Sequence, residues 1–390
     1  MDFQYILLIL FVILMIIFIW TQRKAIQVNG IFPLLYFVMW RTQRGLKFMD
    51  RLANAAPRFW TWLFGAGIVA CFAGMIFISY ELIKNTALLF IAPGAAPGIQ
   101  PVLPFEAKGV FFVPFVYWLL SIFIIAAVHE FCHGIAARVH KMPVQSAGLA
   151  FLGVIVPLVP AAFVEPDEKV LQKQSRFKQL SVFAAGPFSN LLMAGIILLL
   201  VIFIANPLAA AMLQPSGVRI ANLEDGSPAA LAGMQKNEVI TGIDRIPTTY
   251  LENLTAVLKT KHPGDTIVLE TNVSAYAITL TPHPKNASRA YLGVFSRQHA
   301  DIKESFTAAY GAWSVPIILW LFGLLYWLFL LSLGIGLFNL LPIGPIDGGR
   351  MLQLAMHKLF KQTPGQRVWH FISMVFLLLV VINVVAGFLQ

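Results

Sequence analysis

Two histidines and a glutamate stand close together in Ala127-Val128-His129-Glu130-Phe131-Cys132-His133-Gly134. The pattern is H-E-x-x-H. On a helix, residues i and i+4 share one face, so both imidazoles can hold a single metal ion. Glu130 lies beside them, where a carboxylate can take a proton from water at that metal. The surrounding sequence is apolar. A buried His-Glu-His group needs partners that hydrocarbon does not offer and a metal does. A catalytic zinc takes three protein ligands and keeps a fourth position open. Three of the other histidines (His262, His283 and His299) fall in a polar segment, and His140, His357 and His370 lie in or near basic loops. The better third ligand is Asp347, an acid embedded in apolar sequence, in Asn339-Leu340-Leu341-Pro342-Ile343-Gly344-Pro345-Ile346-Asp347-Gly348-Gly349-Arg350. The alternative for Asp347 is a helix cap or turn paired with Arg350.

The elements that must position these groups cross a membrane. The 390 residues are 58% hydrophobic and 12% charged, with a mean hydropathy of +0.76. Soluble domains carry about 25% charged residues, so a wholly soluble protein and a disordered chain are both excluded. Apolar runs at 6–20, 59–83, 110–128, 180–205, 313–338 and 368–388 each approach the ~20 residues that span a bilayer. The run at 31–40 is too short to span and reads as interfacial or packed. Cys71 and Cys132 both lie in apolar runs and read as reduced core residues.

The net charge of +10 is unevenly placed. A polar stretch at 208–304 carries nine basic residues and nine acidic ones, so it is neutral. The excess sits in three loops: seven basic residues at 21–58, six at 138–178 and four at 350–367. These loops alternate along the chain, and the positive-inside tendency makes them cytoplasmic. The polar stretch and both termini then lie on the opposite side. Arg138 marks the cytoplasmic end of its span, nine residues after His129, which puts His129 ~14 Å inside at 1.5 Å per residue. Asp347, just before Arg350, lies toward the same face. A neutral exposed domain speaks against nucleic acid as a partner.

Three motifs in order resemble the site-2 protease family, the zinc metalloproteases that cut within membranes. They are His129-Glu130-x-x-His133, then Phe183-x-x-Gly186-x-x-x-Asn190, then Asn339-x-x-Pro342 followed by Asp347-Gly348. The resemblance covers residues 110 to 350 and extends to the last span. It implies a polytopic α-helical membrane protein with about six spans and one re-entrant segment, at 147–164, whose exposed edge would pair with an unwound substrate. It implies one Zn2+ held by His129, His133 and Asp347, with Glu130 as the catalytic carboxylate. Asn190 and Asn339 would line the site and steady the substrate or the oxyanion; an interhelical hydrogen bond is the other role open to Asn190.

The segment Gly226-Ser227-Pro228-Ala229-Ala230-Leu231-Ala232-Gly233-Met234 resembles the core of a protease-associated PDZ domain. Asn237-Glu238 stand where that pattern has Gly-Asp. Such domains add a peptide as a strand and often capture its C-terminal carboxylate. Tyr291, Leu292, Gly293 and Val294 resemble the carboxylate-binding loop in a permuted strand order. The expected organisation is an N-terminal membrane region at 1–109 with two spans, a membrane core with the zinc helix at 110–206, an extracytoplasmic PDZ-like domain of mainly β structure at 207–304, and a membrane core with the third ligand and final span at 305–390. The expected function is regulated intramembrane proteolysis of single-span membrane proteins already trimmed by another protease, with the PDZ-like domain selecting substrates. The active site would open toward the cytoplasm. A transporter or metal channel using the same acids is one alternative, and a peptide-binding membrane scaffold is another. A transporter of this kind calls for an inverted repeat, and the sequence shows none.

Overall fold

The apolar N-terminus forms helix α1 (Phe3–Thr21), the first element of the computed structural model, which describes residues 3–22, 26–31, 35–43, 45–92, 94–154, 156–284 and 286–389. Then come strands β1 (Ile26–Ile31) and β2 (Leu35–Thr42) and helices α2 (Leu46–Ala55), α3 (Pro57–Ile91) and α4 (Phe115–Val139). Strands β3 (Val144–Val154) and β4 (Val156–Pro166) precede helix α5 (Arg176–Leu200). The polar part of the chain contributes β5 (Leu213–Leu223), β6 (Val239–Ile243), α6 (Leu251–Lys259), β7 (Thr266–Thr271), β8 (Ala275–Thr279) and β9 (Val294–Ile302). Helices α7 (Ser314–Phe338), α8 (Asp347–Phe360) and α9 (Gln362–Leu389) complete it. The chain divides into two compact units, Met1–Val201 with Trp320–Gln390, and Ile202–Leu319.

Five helices among the described residues are long and apolar enough to cross a membrane: Pro57–Ile91, Phe115–Val139, Arg176–Met212, Ser314–Phe338 and Gln362–Leu389. The apolar stretch Ile6–Thr21 is shorter. The protein is an integral membrane protein. Helix α4 buries one stripe, Trp118, Ser121, Ile125, His129 and His133, at the three- and four-residue spacing of one helical face. That stripe packs on α5, where Ala184, Ala185 and Gly186 are small and buried and let the backbones approach. Helix α3 meets α5 from the other side; Gly67 lies against the Phe188 ring.

The described residues of the runs at 31–40 and 147–164, namely 31, 35–40, 147–154 and 156–164, are β structure. Strands β1, β2, β3 and β4 form an antiparallel sheet in that order. The stretch with Gly148, Gly153, Pro157 and Pro160, read from sequence as a re-entrant segment, is thus the β3–β4 hairpin. The prolines explain its place: a residue without an N–H is tolerated where no further strand pairs, and β4 is an outer strand. Gly148 accommodates the close approach of the Trp40 carbonyl, which a Cβ would block.

In the second unit the sheet order is β8-β7-β6-β5-β9, so β9 is an edge. Its core includes Val218, Ile220, Ile240, Ile243, Ile267 and Leu269 from neighbouring strands and Leu254 from helix α6. Asn237, where the sequence pattern expects glycine, has φ 75°, a left-handed conformation that asparagine tolerates. Glu238 beside it is buried and accepts hydrogen bonds from Tyr276, Thr271 and the Gln235 N–H.

Candidate metal centre

Three side-chain atoms converge where α4, α5 and the start of α8 meet. His129 Nε2 and His133 Nε2 are 3.1 Å apart. Asp347 Oδ2 lies 3.1 Å from the first and 3.4 Å from the second. Zinc bonds of ~2.0–2.1 Å at tetrahedral angles place donor atoms ~3.3 Å apart, so this triangle fits one ion. The chemistry of the donors agrees. His133 Nδ1 is 2.7 Å from the Val182 carbonyl, which only accepts, so Nδ1 carries a proton and Nε2 is the ring nitrogen left to face a metal. Both Nε2 atoms and the Asp347 carboxylate oxygen face one another, a donor set that a bound metal cation would satisfy. Among the described residues, ligand atoms of His129, Glu130 and His133 also lie within 4.8 Å of one another.

Of the two roles open to Asp347, the geometry favours ligand over cap. The cap position of α8 is Ile346, and no side chain caps it. Arg350 pairs instead with Glu168, at 3.5 Å, and its guanidinium lies 5.3 Å from the centre of the Phe183 ring. The Pro-Gly turn before α8 brings Asp347 inward: Gly348 N–H donates to the Asn339 carbonyl at 2.8 Å, so a backbone amide of the later motif closes on its own asparagine.

Asn190 is fully buried on α5, and its amide group lies 3.1 Å from His129 Nδ1. Its Oδ1 has no hydrogen-bond partner among the described residues. With the amide turned over, Oδ1 accepts from His129 Nδ1–H, the tautomer that leaves Nε2 free for a metal. Asn190 is therefore an interhelical hydrogen bonder whose partner is the candidate ligand itself. Gly186, also on α5, lies against both histidines. A Cβ there would sit 2.5 Å from His129 Nε2 and would overlap His133.

A cavity of about 280 Å³ opens onto these groups; His129, Glu130, His133, Asn339, Asp347 and Arg350 line it. Glu130 lines the same cavity beside the donor triangle, and its Oε2 accepts the Val164 N–H of β4 at 3.0 Å. Sequence reasoning gave no role to Gly186, to the Val182 carbonyl or to the Val164 N–H. Two are backbone groups, which no side-chain pattern reveals; the glycine stands in a motif whose spacing says nothing of what it touches.

In the second unit, Tyr291 to Val294 form the turn into edge strand β9. Gly293 has φ +77°. The Leu292 carbonyl accepts from Ala229 N–H at 3.1 Å, and Tyr291 hydrogen-bonds Glu224, which pushes its hydroxyl above the usual pKa. Helix α6 lies beside β9, with the Leu251 N–H held by Gln298 Oε1 at 2.9 Å. Cys71 and Cys132 are free thiols.

Comparison with known proteins identifies the family of the chain. The profile of peptidase family M50 matches residues 117–382. The chain is 25% identical over 357 residues to the uncharacterized protein MJ0971 of Methanocaldococcus jannaschii, covering 89% of this chain and 84% of that one. It is 26% identical over 201 residues to zinc metalloprotease Rip1 of Mycobacterium tuberculosis, covering 41% of this chain and 49% of Rip1. It is 22% identical over 269 residues to zinc metalloprotease RasP of Oceanobacillus iheyensis, 57% of this chain and 62% of RasP. The chain thus spans less than two thirds of either named metalloprotease. A solved PDZ domain from an SdrC-like protein of Listeria monocytogenes aligns with 21% of this chain and 87% of its own, at 22% identity and a TM-score of 0.19. With its matched region running from α4 into α9, and so through all three motifs, the chain belongs to peptidase family M50, the zinc metalloproteases of the site-2 type.

Proposed function

We propose that this protein hydrolyses peptide bonds inside the membrane-spanning segments of other proteins, with one zinc ion held by His129, His133 and Asp347. The observation that carries the proposal is the donor triangle, with edges of 3.1, 3.1 and 3.4 Å, built on helices long and apolar enough to cross a membrane. Zinc bound there supplies Lewis-acid polarisation of a carbonyl and acidifies water. Glu130 accepts the proton of the attacking water at its carboxylate and hands it to the nitrogen of the leaving amine. Asn190 fixes the His129 ring, and the Val182 carbonyl fixes the His133 ring. Asn339, lining the same cavity, steadies the substrate carbonyl. A substrate helix must unwind first, because its carbonyls are hydrogen-bonded within the helix. The outer edge of β4 offers unwound backbone a strand to pair with.

The basic loops put the active site toward the cytoplasm and the second unit outside, with α1 as a sixth span. The second unit acts as a PDZ-like filter for trimmed single-span proteins. Its groove lies between β9 and α6, with the Tyr291–Leu292–Gly293–Val294 turn at the carboxylate end.

The test is zinc content and cleavage of a model single-span substrate in detergent or vesicles. Glu130→Gln is expected to keep zinc and lose cleavage by at least ~100-fold. Asp347→Ala is expected to lose both. Cleavage by Glu130→Gln at the wild-type rate would sink the mechanism.

A further inference from the structure

The strand that holds Glu130 has an irregular end near the site. Among the described residues, strand β4 pairs only with β3. Their ladder slips at this end: Val144 faces Pro166, Ser146 faces Glu165, and Gln145 is skipped between them. A bulge disrupts ladder hydrogen bonds, and Pro166 has no N–H to donate. Yet Val164, two residues before that proline, must present its N–H to Glu130 Oε2 at 3.0 Å.

A side-chain tie spans this slipped register. Arg41 on β2 reaches across β3 to Glu165 on β4, with Nε at 3.2 Å from one carboxylate oxygen and Nη2 at 2.6 Å from the other. The Ser146 hydroxyl donates to the same carboxylate, and Arg41 also donates to Gln27 on β1. One connected line therefore crosses the whole sheet and ends next to Val164. A forked guanidinium–carboxylate pair fixes direction as well as distance, which a lysine point charge does not.

We propose that Arg41 and Glu165 are positioning residues for catalysis: their pairing locks the end of β4 so that the Val164 N–H holds Glu130 in its working orientation. The inference rests on Glu130 being the proton-transfer group of the proposed reaction. The tie itself makes no hydrogen bond to the metal donors.

The test uses the full chain with Arg41→Gln, Arg41→Lys, Glu165→Gln and the exchanged pair Arg41→Glu with Glu165→Arg. Hydrogen exchange of the peptide carrying Val164 reads the tie without activity. Zinc content and thermal stability read the fold. Steady-state kinetics read the consequence. Arg41→Gln and Glu165→Gln are expected to keep zinc and melting temperature, to speed Val164 exchange about 10-fold, and to lower kcat roughly 10- to 100-fold, by more than KM rises. Arg41→Lys is expected to fall between, and the exchanged pair to recover most of kcat. If Arg41→Gln does not fold, Arg41→Lys and the exchanged pair carry the same comparison. Unchanged Val164 exchange overturns the proposal. So does faster exchange at wild-type kcat, or a loss of kcat that always follows a loss of zinc. A wild type that binds zinc and cuts nothing fails the proposed function instead, and the exchange measurement still decides whether the tie exists.

Discussion

At the scale of single residues, the site depends on what is absent as much as on what is present. Gly186 contributes no side chain, and that is its function: the two imidazole Nε2 atoms occupy the space a methyl would need. Gly186→Ala is expected to weaken zinc binding at least ~10-fold while leaving helix content unchanged, because one ligand ring must turn away. Metal titration with circular dichroism on the same sample checks it. Asn190 acts from the other side, on the far nitrogen of His129. Asn190→Ala is expected to cost ~10- to 100-fold in zinc affinity, the usual loss when the hydrogen-bond partner of a metal-bound histidine is removed. Unchanged affinity in a competitive chelator assay would show that the asparagine only bridges helices.

At the scale of elements, each side chain of the centre is placed by the periodicity of its carrier. Helix α4 buries His129 and His133 because they continue the stripe of Trp118, Ser121 and Ile125. The Pro-Gly turn before α8 stops one helix, starts another and leaves Asp347 at the new N-terminus, aimed inward. In the second unit a tight turn joins β6 to the short strand Ile246–Pro247, with Asp244 and Arg245 both at positive φ. Asp244 holds it by accepting Lys261 Nζ at 2.6 Å and the Val268 N–H at 2.8 Å. These bonds depress its carboxyl pKa, with Lys261 as the larger cause. A depressed acid stabilises the folded state above its unfolded pKa and loses that contribution as pH falls through the folded one. Asp244→Asn is therefore expected to destabilise the turn by about 1 kcal/mol at neutral pH, with the gap to wild type closing below about pH 4. Hydrogen exchange across residues 239–271 at several pH values measures it.

At the scale of the whole molecule, the polar unit is inserted so that its ends meet. Leu213 at the start of β5 pairs with Ile302 at the end of β9. An insertion with adjacent ends can be cut out without straining what it interrupts. Replacing residues 207–304 with a short Gly-Ser linker is expected to preserve zinc content and cleavage of a trimmed single-span substrate. Cleavage of an untrimmed substrate is expected to rise. If the untrimmed-to-trimmed ratio stays at its wild-type value, the unit does not filter substrates.

The sequence by itself determined the chemistry and the setting. His129 and His133 lie four residues apart, which any helix puts on one face, and apolar runs near bilayer length declare themselves by composition alone. What depends only on local spacing was legible. Tertiary structure decided everything that joins distant positions. Asp347 reaches His129 across 218 residues, a proximity that only the packing of α8 against the core supplies. Strand β2 looked like interfacial sequence because its partner β3 lies a hundred residues on, and β1 is added to the sheet only through β2. Arg41 and Glu165, 124 residues apart, each resembled an ordinary loop charge until the sheet brought them together. The physical reason is the same in each case. A helix satisfies its own backbone, so its residues announce their faces locally, whereas a strand or a three-ligand site is completed only by groups that the fold supplies from elsewhere.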